Sequence, residues 1–460
     1  MIKRKILTRQ FLYITSFISL ATTLYLPATA QTDQIRSNTA LSHYLNLADD
    51  HFSWEVTDSL TTNDYTLYQL LLVSQKWRES VWKHNLMIIV PKEVRYQGAL
   101  MFVTGGSVVN DEPNKSDLGA DGTVTMLSEV AVQNKAVVAI VAQVPRQPMY
   151  GNLNEDALIS YTLHQFKTDG DYTWPLLFPM VKSVVKAMDA VQQFTTQKPI
   201  PGIQNFVVTG FSKRGWTTWL TGSQDNRVVA IAPMVIDILN MPVNLKYQLD
   251  AWKEYSPQIK DYVELGIVQD FGNPEGKKIV DMIDPYSYRK QLHKPKMIFM
   301  GTNDPYWVVD AVKNYLDSIP GKNFLHYEPN VGHNLGDKKQ AIQALSSFFG
   351  FTLQHVTYPE CTWKIKCNKN GDYQLKVRTS KSRLVDVVLW SAQSEDMNFR
   401  EDVWKGEHLN NKIKKRIKIN GRLPLNGYLA FYLDLKYQDL NGHEYTQSTR
   451  MIVADNKQIL

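Results

Sequence analysis

The stretch "VVTGFSKRG" at residues 207–215 places Ser212 two residues after a glycine that closes an apolar run. Such a run is typical of a strand that turns sharply into a helix and exposes a nucleophilic serine. The usual pattern at that turn is G-x-S-x-G, whereas here Arg214 replaces the second glycine and Gly215 follows one residue later. The alternative is a loop serine that caps a helix. The stretch favours a catalytic turn, and the presence of a general base and a carboxylate elsewhere in the chain would distinguish it from a helix cap.

Two later segments supply those partners. A general base must accept the proton of the serine, and a carboxylate must orient that base. Asp304 follows the apolar run at 296–300, and His333 lies in a glycine-flanked loop after the run at 324–327. This order of serine, aspartate and histidine along the chain is the one that α/β-hydrolases use. We therefore predict that Ser212, Asp304 and His333 form a catalytic triad.

Three other residues are weaker candidates for the same roles. Asp237 follows an earlier strand, and Asp310 lies inside the helix that we expect at 308–319. His326 lies within a strand, where a histidine is more often a hydrogen-bonded core residue than a catalytic base.

The segment "FVTGGSV" at 102–108 ends an apolar run with a glycine-rich turn. Glycines at such a turn let the backbone approach a substrate carbonyl, although a plain strand-ending turn is the alternative. We predict an oxyanion hole formed by backbone amides of Lys213, Gly106 and Ser107.

Substrate contacts are predicted for three further residues near the triad in sequence. Arg214 adjoins the serine turn and could bind an anionic group. Tyr306 and Trp307 follow shortly after Asp304 and could help to build an exopeptidase-like cleft.

Short apolar strands alternate with helices through residues 31–350. The strands are expected at 65–75, 86–91, 99–104, 136–144, 205–209, 228–233, 296–300 and 324–327. Helical spacing at 122–132 and 175–194 separates them. This alternation predicts an α/β domain, a mostly parallel sheet with helices on both faces. The polar segment at 240–288 interrupts it, and we interpret that segment as a lid.

From about residue 351 the pattern changes to alternating runs separated by turns, which predicts a C-terminal all-β, sandwich-like domain over 351–460. Its strands are expected at 361–367, 373–378, 384–389, 412–419, 428–435 and 446–454. Cys361 and Cys367 would lie roughly 20 Å apart on one strand, so buried free thiols are expected. The basic cluster at 412–418 is typical of a solvated strand face, and an envelope or host partner is the alternative.

Residues 1–30 have the pattern of a signal peptide, with basic residues, an apolar stretch and Ala28-x-Ala30. Its length is short for an uncleaved membrane anchor, so we expect export to the periplasm or beyond, with no stable membrane span. The other residues hold 47 basic and 45 acidic side chains, which gives no support for nucleic-acid binding. No metal motif or P-loop is present, and no cofactor is expected.

Several segments together resemble the PhoPQ-activated pathogenicity-related proteins. They include "TGFSKRGW" (209–216), "MGTNDPYWVVDA" (300–311), "VGHN" (331–334) and "LWSAQSEDMNFR" (389–400). The resemblance implies an exported bacterial protein with an α/β-hydrolase-like core and a β-rich tail. It also implies that Arg214 is a feature of the family. The family name describes regulation, so no substrate follows from it.

The sequence leaves three functional hypotheses. The first is an exported serine hydrolase that acts on a small molecule or peptide, with ester cleavage favoured, in a virulence or envelope context. The second is a serine exopeptidase. The third is a catalytically inactive, hydrolase-like binding or signalling protein.

Overall fold

Runs of buried aliphatic residues form the inner strands of a 14-stranded sheet in the computed structural model. The structure describes residues 35–114, 122–409 and 414–460, and the predicted signal peptide lies outside them. The first strands are β1 (Ser53–Thr61), β2 (Tyr65–Trp77), β3 (Ser80–Pro91), β4 (Gly98–Val103), the short pair β5 (Val108–Val109) and β6 (Glu112–Pro113), β7 (Val137–Val141), β8 (Asn205–Phe211), β9 (Val228–Met234), β10 (Lys296–Gly301) and β11 (Asn323–Glu328).

These strands follow the order β1-β2-β3-β7-β4-β8-β9-β10-β11. The six strands from β7 to β11 in that order are parallel, and β1 to β3 extend the sheet in antiparallel fashion. A serine turn after the central strand β8 completes an α/β-hydrolase arrangement. The predicted fold class is confirmed, although the exposed strand β1 was not foreseen.

Helices cover both faces of the sheet. They are α1 (Ala40–Leu45), α2 (Gly122–Asn134), α3 (Glu155–Asp169), α4 (Leu177–Thr196) and α5 (Lys213–Gln224), together with a last helix at Lys339–Leu353. Helices α4 and α5 bury their apolar sides against one face of the sheet. Helix α2 and the last helix pack on the other face. The serine turn therefore lies between two layers of helices.

The lid segment consists of short helices between β9 and β10. They are α6 (Met241–Trp252), α7 (Lys260–Glu264), α8 (Ile267–Asp270) and α9 (Pro274–Ile283), with 3-10 turns at Pro257–Ile259 and Pro285–Gln291. The Asn273 side chain caps α9 by accepting a hydrogen bond from the Gly276 amide at 2.9 Å. The Lys339–Leu353 helix follows β11 and becomes α10 in chain order.

The helix predicted at 308–319 is wrong. Two 3-10 turns, Ala311–Asn314 and Leu316–Ser318, stand there instead. Asp310 accepts hydrogen bonds from Tyr247 at 2.7 Å and from Lys313 at 2.8 Å. Tyr247 belongs to the lid helix α6, so a tertiary contact competes here with the helical spacing of the sequence.

The C-terminal strands are β12 (Cys361–Cys367), β13 (Asp372–Thr379), β14 (Leu384–Ser394), β15 (Lys405–His408), β16 (Arg416–Arg422), β17 (Tyr428–Gln438), β18 (Glu444–Ser448) and β19 (Ile452–Ala454). Strands β12, β13 and β16 form a separate three-stranded sheet. The others continue the main sheet in the order β11-β18-β17-β14-β15, with β19 beside β17. The two sheets pack face to face, and the Tyr373 ring stacks on Phe431 at 4.9 Å.

The main sheet therefore runs across the boundary that we predicted at residue 350. The single strand expected at 446–454 is divided into β18 and β19. Both cysteines are free, but Cys367 is exposed and not buried as expected. In the ranges that the structure describes, none of the helices has the length and apolarity needed to cross a bilayer.

Candidate active site

Ser212 lies at a sharp turn between β8 and α5. Its backbone φ of 56° and ψ of −121° lie outside the regions that non-glycine residues prefer. The Ser212 amide donates to the Met234 carbonyl on β9 at 2.8 Å, and the Ser212 carbonyl accepts from the Trp216 amide at 2.9 Å. A strained backbone at a strand-to-helix turn is the geometry that exposes a serine hydroxyl above a sheet.

Gly210 and Gly215 allow the close approach of strand, turn and helix. A Cβ at Gly210 would lie 2.9 Å from the Val103 carbonyl oxygen, and one at Gly215 would lie 2.7 Å from the Met234 carbonyl oxygen. Both contacts are with backbone atoms, which cannot move aside cheaply. The late glycine in "GFSKRG" thus takes the close contact that the usual second glycine would make.

The three predicted triad residues lie in one chain of contacts. The Ser212 Oγ is 2.8 Å from His333 Nε2, and His333 Nδ1 is 2.8 Å from Asp304 Oδ2. The other oxygen of Asp304 accepts from the Tyr306 amide at 2.8 Å. Because an ionised carboxylate only accepts hydrogen bonds, Nδ1 carries the proton and leaves Nε2 free to accept from the serine.

Parallel strands bring these residues together, because β8, β10 and β11 present their carboxyl ends at the same edge of the sheet. Gly301 at the end of β10 lies against the histidine loop, where an added Cβ would come within 2.5 Å of the Gly332 carbonyl oxygen. The Asn303 amide donates to the Val331 carbonyl at 3.0 Å. The aspartate and histidine loops are therefore held to each other directly.

The loop between β14 and β15 contacts both the aspartate loop and the histidine loop. The Asn303 side chain donates to three carbonyls of this loop, the nearest being that of Asp402 at 2.8 Å. Asn330 exchanges two hydrogen bonds with the Trp404 backbone, at 2.7 and 3.0 Å. The loop includes Arg400, whose guanidinium lies 4.1 Å from the ring centroid of Trp252 in the lid.

The alternative carboxylates and histidine lie elsewhere. Burial, followed by the nearby charges of Asp304 and Asp310, raises the pKa of Asp237 to about 8. Asp310 is paired with Lys313. His326 is fully buried beside the Thr446 backbone, and burial lowers its pKa to about 4. None of the three contacts His333 or Ser212 in the hydrogen bonds of the described residues.

Tyr306 and Trp307 lie beside the triad, as predicted substrate contacts should. The Tyr306 ring stacks on His333 with centroids 4.0 Å apart and an angle of 27°. Both aromatic residues border a pocket that also contains Ser212. Their contact with a substrate stays a prediction.

Lys213 and Arg214 are both neutralised by acidic residues at the start of α3. The Arg214 guanidinium forms two hydrogen bonds of 2.7 Å with Glu155 and another of 2.5 Å with the Val144 carbonyl. The Lys213 Nζ lies 2.5 Å from Asp156. Burial opposes ionisation of Glu155, but its hydrogen bonds with Arg214 lower its pKa to about 2. The predicted anion-binding role of Arg214 gains no support from this arrangement.

The predicted oxyanion donors lie at two places around Ser212. Lys213 is the first residue of α5, where backbone amides have no partner within the helix. In the glycine-rich loop, the residues that line the cleft beside Ser212 are Thr104 and Gly105, which directly precede Gly106 and Ser107. The oxyanion roles of Lys213, Gly106 and Ser107 stay predictions.

Four residues around the triad were missed by sequence reasoning: Glu155, Asp156, Asn303 and Asn330. Glu155 and Asp156 read in sequence as acidic residues of a helix start, which is common for electrostatic reasons alone. Asn303 stands beside Asp304, but its partners lie almost a hundred residues later. A single sequence gives no signal for such distant pairs.

The chain is similar to one named protein in sequence and to several solved structures in fold. Autocrine proliferation repressor protein A of Dictyostelium discoideum is 30% identical over 435 residues, which cover 87% of this chain and 86% of that protein. Acetyl xylan esterase 1 from Thermoanaerobacterium sp. JW/SL YS485 matches with 16% identity and a TM-score of 0.48, over 69% of this chain and 93% of that one. A glucuronoyl esterase from Solibacter usitatus matches with 11% identity and a TM-score of 0.41, over 69% and 91%.

The family model of the PhoPQ-activated pathogenicity-related proteins matches residues 41–400. This range includes the serine turn, the aspartate and histidine loops, the segment at 240–288 and the segment "LWSAQSEDMNFR" that leads into the loop between β14 and β15. The resemblance read from the sequence is thereby confirmed. The chain belongs to the PhoPQ-activated pathogenicity-related protein family.

Proposed function

We propose that this protein is a serine hydrolase that cleaves a carboxylic ester through an acyl-enzyme on Ser212. The observation that carries the proposal is the unbroken chain of contacts from Ser212 to His333 to Asp304, each 2.8 Å long. A strained serine turn at the carboxyl end of a central strand adds to it. A loop serine that only capped a helix would need neither the strain nor the aligned histidine.

The contacts define the role of each group. His333 Nε2 takes the proton of Ser212 as the oxygen attacks the substrate carbonyl, and Asp304 stabilises the positive charge that forms on the imidazole. The same nitrogen then gives the proton to the leaving alcohol, whose bond to the carbonyl carbon breaks. Water then attacks the acyl-enzyme in the same way, with His333 first taking a proton from the water and then returning one to the Ser212 oxygen as the acyl group leaves. Backbone amides at the start of α5 would hold the negative oxygen.

Ester cleavage fits the site better than removal of terminal residues from a peptide. An exopeptidase needs an unpaired charge to hold the charged end of its substrate. Here Glu155 and Asp156 are matched by Arg214 and Lys213. The two basic side chains that follow Ser212 in the chain are therefore already paired, and neither is free to hold the charged end of a peptide.

The test is covalent labelling with diisopropyl fluorophosphate, followed by intact and peptide mass spectrometry. We expect one adduct per chain on Ser212, and none in Ser212→Ala with an unchanged circular dichroism spectrum and melting temperature. Asp304→Asn should label at least 100-fold more slowly, since the wrong imidazole tautomer is then favoured. A folded wild-type protein that takes no adduct would refute the proposal.

A non-catalytic signalling role is the second candidate. It is favoured by the name of the 30% identical relative, a repressor of proliferation. Signalling by the wild type and by Ser212→Ala distinguishes the two roles. A signalling activity that needs only binding would survive the substitution, whereas one that needs hydrolysis would be lost. The intact triad geometry makes hydrolysis the better supported of the two.

We also propose that the chain is exported. The support is the basic, apolar and Ala28-x-Ala30 pattern of residues 1–30. Sequencing of the mature amino terminus should give Gln31 as the first residue. Recovery of chains that still begin at Met1 would contradict this proposal.

A further inference from the structure

Two cavities meet at Ser212, and they differ in size and polarity. The first, which we call the lid pocket because lid helices border it, has a volume of about 50 Å³. Its walls include Met241, Leu245, Tyr262, Phe271, Ile283 and Tyr306. The second, the open cleft, has a volume of about 270 Å³. Its walls include Thr104, Gly105, His333, Asn334, Lys338 and Ile342.

The position of His333 indicates which cavity holds the alcohol and which holds the acyl group of an ester. The leaving alcohol must receive a proton from His333 Nε2, so it must depart on the side where that ring is reachable. His333 lines the open cleft, whereas Tyr306 stacks on its ring at 4.0 Å and lines the lid pocket. The alcohol therefore belongs in the open cleft, and the acyl group is left with the lid pocket.

The size of the lid pocket limits the acyl chain. A volume of about 50 Å³ holds roughly three to five water-sized groups, at about 10–15 Å³ for each. Leu245, Phe271 and Ile283 are buried and belong to one hydrophobic core that extends under the lid. Packed apolar walls of this kind resist expansion, so a longer chain would force the lid side chains apart.

The charges around the lid pocket exclude a charged acyl group. Lys213 lies 2.5 Å from Asp156, and the Tyr262 hydroxyl donates to the same carboxylate at 3.0 Å. Each charge is thus matched by its neighbour before a substrate enters. A carboxylate or ammonium on the acyl chain would be buried without a partner, which is costly.

We propose that the substrate is an ester of a short, uncharged acyl group with a polar alcohol, with the acyl group in the lid pocket and the alcohol in the open cleft. This inference rests on the proposed function and adds the substrate class to it. The open cleft has room for the larger half, and its exposed Asn334 suits a polar alcohol. In the reaction the bond from Ser212 Oγ to the acyl carbon forms, the bond to the alcohol oxygen breaks, and the proton of the serine ends on that alcohol.

The experiment compares p-nitrophenyl esters from acetate through butanoate and hexanoate to decanoate. We expect kcat/KM to fall about tenfold or more between butanoate and decanoate, because the extra methylenes overfill the pocket. Succinyl esters, with a charged end, should react more slowly than butanoate by a similar factor. Rates that rise towards decanoate would overturn the inference.

A variant pair places this selectivity in the lid pocket. Leu245→Ala enlarges the pocket and should raise the hexanoate-to-acetate ratio of kcat/KM roughly tenfold. Leu265→Ala makes the same change in the same lid at a residue that does not line the pocket, and its ratio should equal that of the wild type. An unchanged ratio in a folded Leu245→Ala protein would also overturn the inference.

Labelling by diisopropyl fluorophosphate separates the two proposals. A protein that labels on Ser212 but prefers long acyl chains is a hydrolase with a different substrate class. A protein that does not label is no serine hydrolase, and both proposals fall together. The wild-type chain-length series needs no variant, so the inference stays testable even if Leu245→Ala does not fold.

Discussion

At Ser212 the backbone φ of 56° is tolerated because the residues around the turn leave room for it. Gly210 lies against β4, and Gly215 lies against the end of β9. Such strain costs on the order of 1–3 kcal/mol and persists only where the surroundings enforce it. The position of the hydroxyl therefore depends on two residues that have no side chain of their own.

Gly215→Ala tests this dependence. Intrinsic helix propensity alone would stabilise the variant by up to about 1 kcal/mol, because Gly215 lies in the first turn of α5. The added Cβ, however, would lie 2.7 Å from the Met234 carbonyl oxygen, so we expect a net loss of about 1–3 kcal/mol and slower labelling of Ser212. Thermal melting and labelling rates measure both effects.

Gly202→Ala is the matched control. No atom lies within 4 Å of a Cβ at that position, so its melting temperature should equal or slightly exceed that of the wild type. A Gly215→Ala protein as stable and as reactive as the control would show that the close contact does not matter.

Arg214 and Glu155 form a partly buried ion pair beside the serine turn. Their two parallel hydrogen bonds fix the side chain that occupies the place of the usual second glycine. The pKa of Glu155 falls to about 2 because the Arg214 bonds outweigh burial. A carboxyl with a lowered pKa in the folded state stabilises the fold above its ordinary value of 4.5, and this contribution is lost as the pH falls towards 2.

Glu155→Gln should therefore lower the free energy of unfolding at pH 6.5. The difference in this free energy between wild type and variant should decrease as the pH falls through 4.5 to 3. Denaturant unfolding of both proteins at each pH measures the difference. Glu129→Gln, an exposed glutamate of α2, is the control for the substitution itself. A difference between wild type and Glu155→Gln that grows towards pH 3 would contradict the assignment.

At the scale of elements, the loop between β14 and β15 joins three parts of the site. It contacts the aspartate loop through Asn303, the histidine loop through Asn330 and the lid through Arg400 and Trp252. The two asparagines do not touch the reacting atoms. Their hydrogen bonds hold the loops that carry Asp304 and His333, and small displacements of catalytic groups reduce rates strongly.

Asn330→Ala removes both hydrogen bonds with the Trp404 backbone. We expect labelling of Ser212 to slow by about tenfold or more, with a larger fall in kcat than rise in KM for p-nitrophenyl acetate. Asn330→Asp keeps the acceptor for the Trp404 amide and should restore part of the rate. Asn370→Ala, exposed at the β12–β13 turn, is the control. Loss of stability without a change in rate would make Asn330 a purely structural residue.

At the scale of the whole molecule, the sequence predicts what depends on local order and misses what depends on distant pairing. The strand–turn–helix around Ser212 and the strand ends before Asp304 and His333 follow from local patterns of apolar residues and glycines. The helix expected at 308–319 failed because its contacts with Tyr247 in α6 could not be read locally. In the same way, nothing in β18 itself indicates that it pairs with β11.

The continuity of the sheet makes the C-terminal strands part of the hydrolase fold. β18 pairs antiparallel with β11 through Ser448 and Leu325, and the Tyr327 ring packs on Tyr432 at 5.0 Å. Without these strands, β11 would become an exposed, apolar edge, which favours aggregation. The loop between β14 and β15 would be lost as well.

A chain that ends at Leu353, after α10, should therefore be poorly soluble and should not label on Ser212. Soluble yield and labelling measure this outcome. As a control, a protease site placed in the irregular segment at 356–360 of the full chain should be cut without loss of labelling, because the packed strands hold the two pieces together. A truncated chain that melts and labels like the wild type would show that the core folds alone. In that case the edge of β11 would not need the C-terminal strands to cover it.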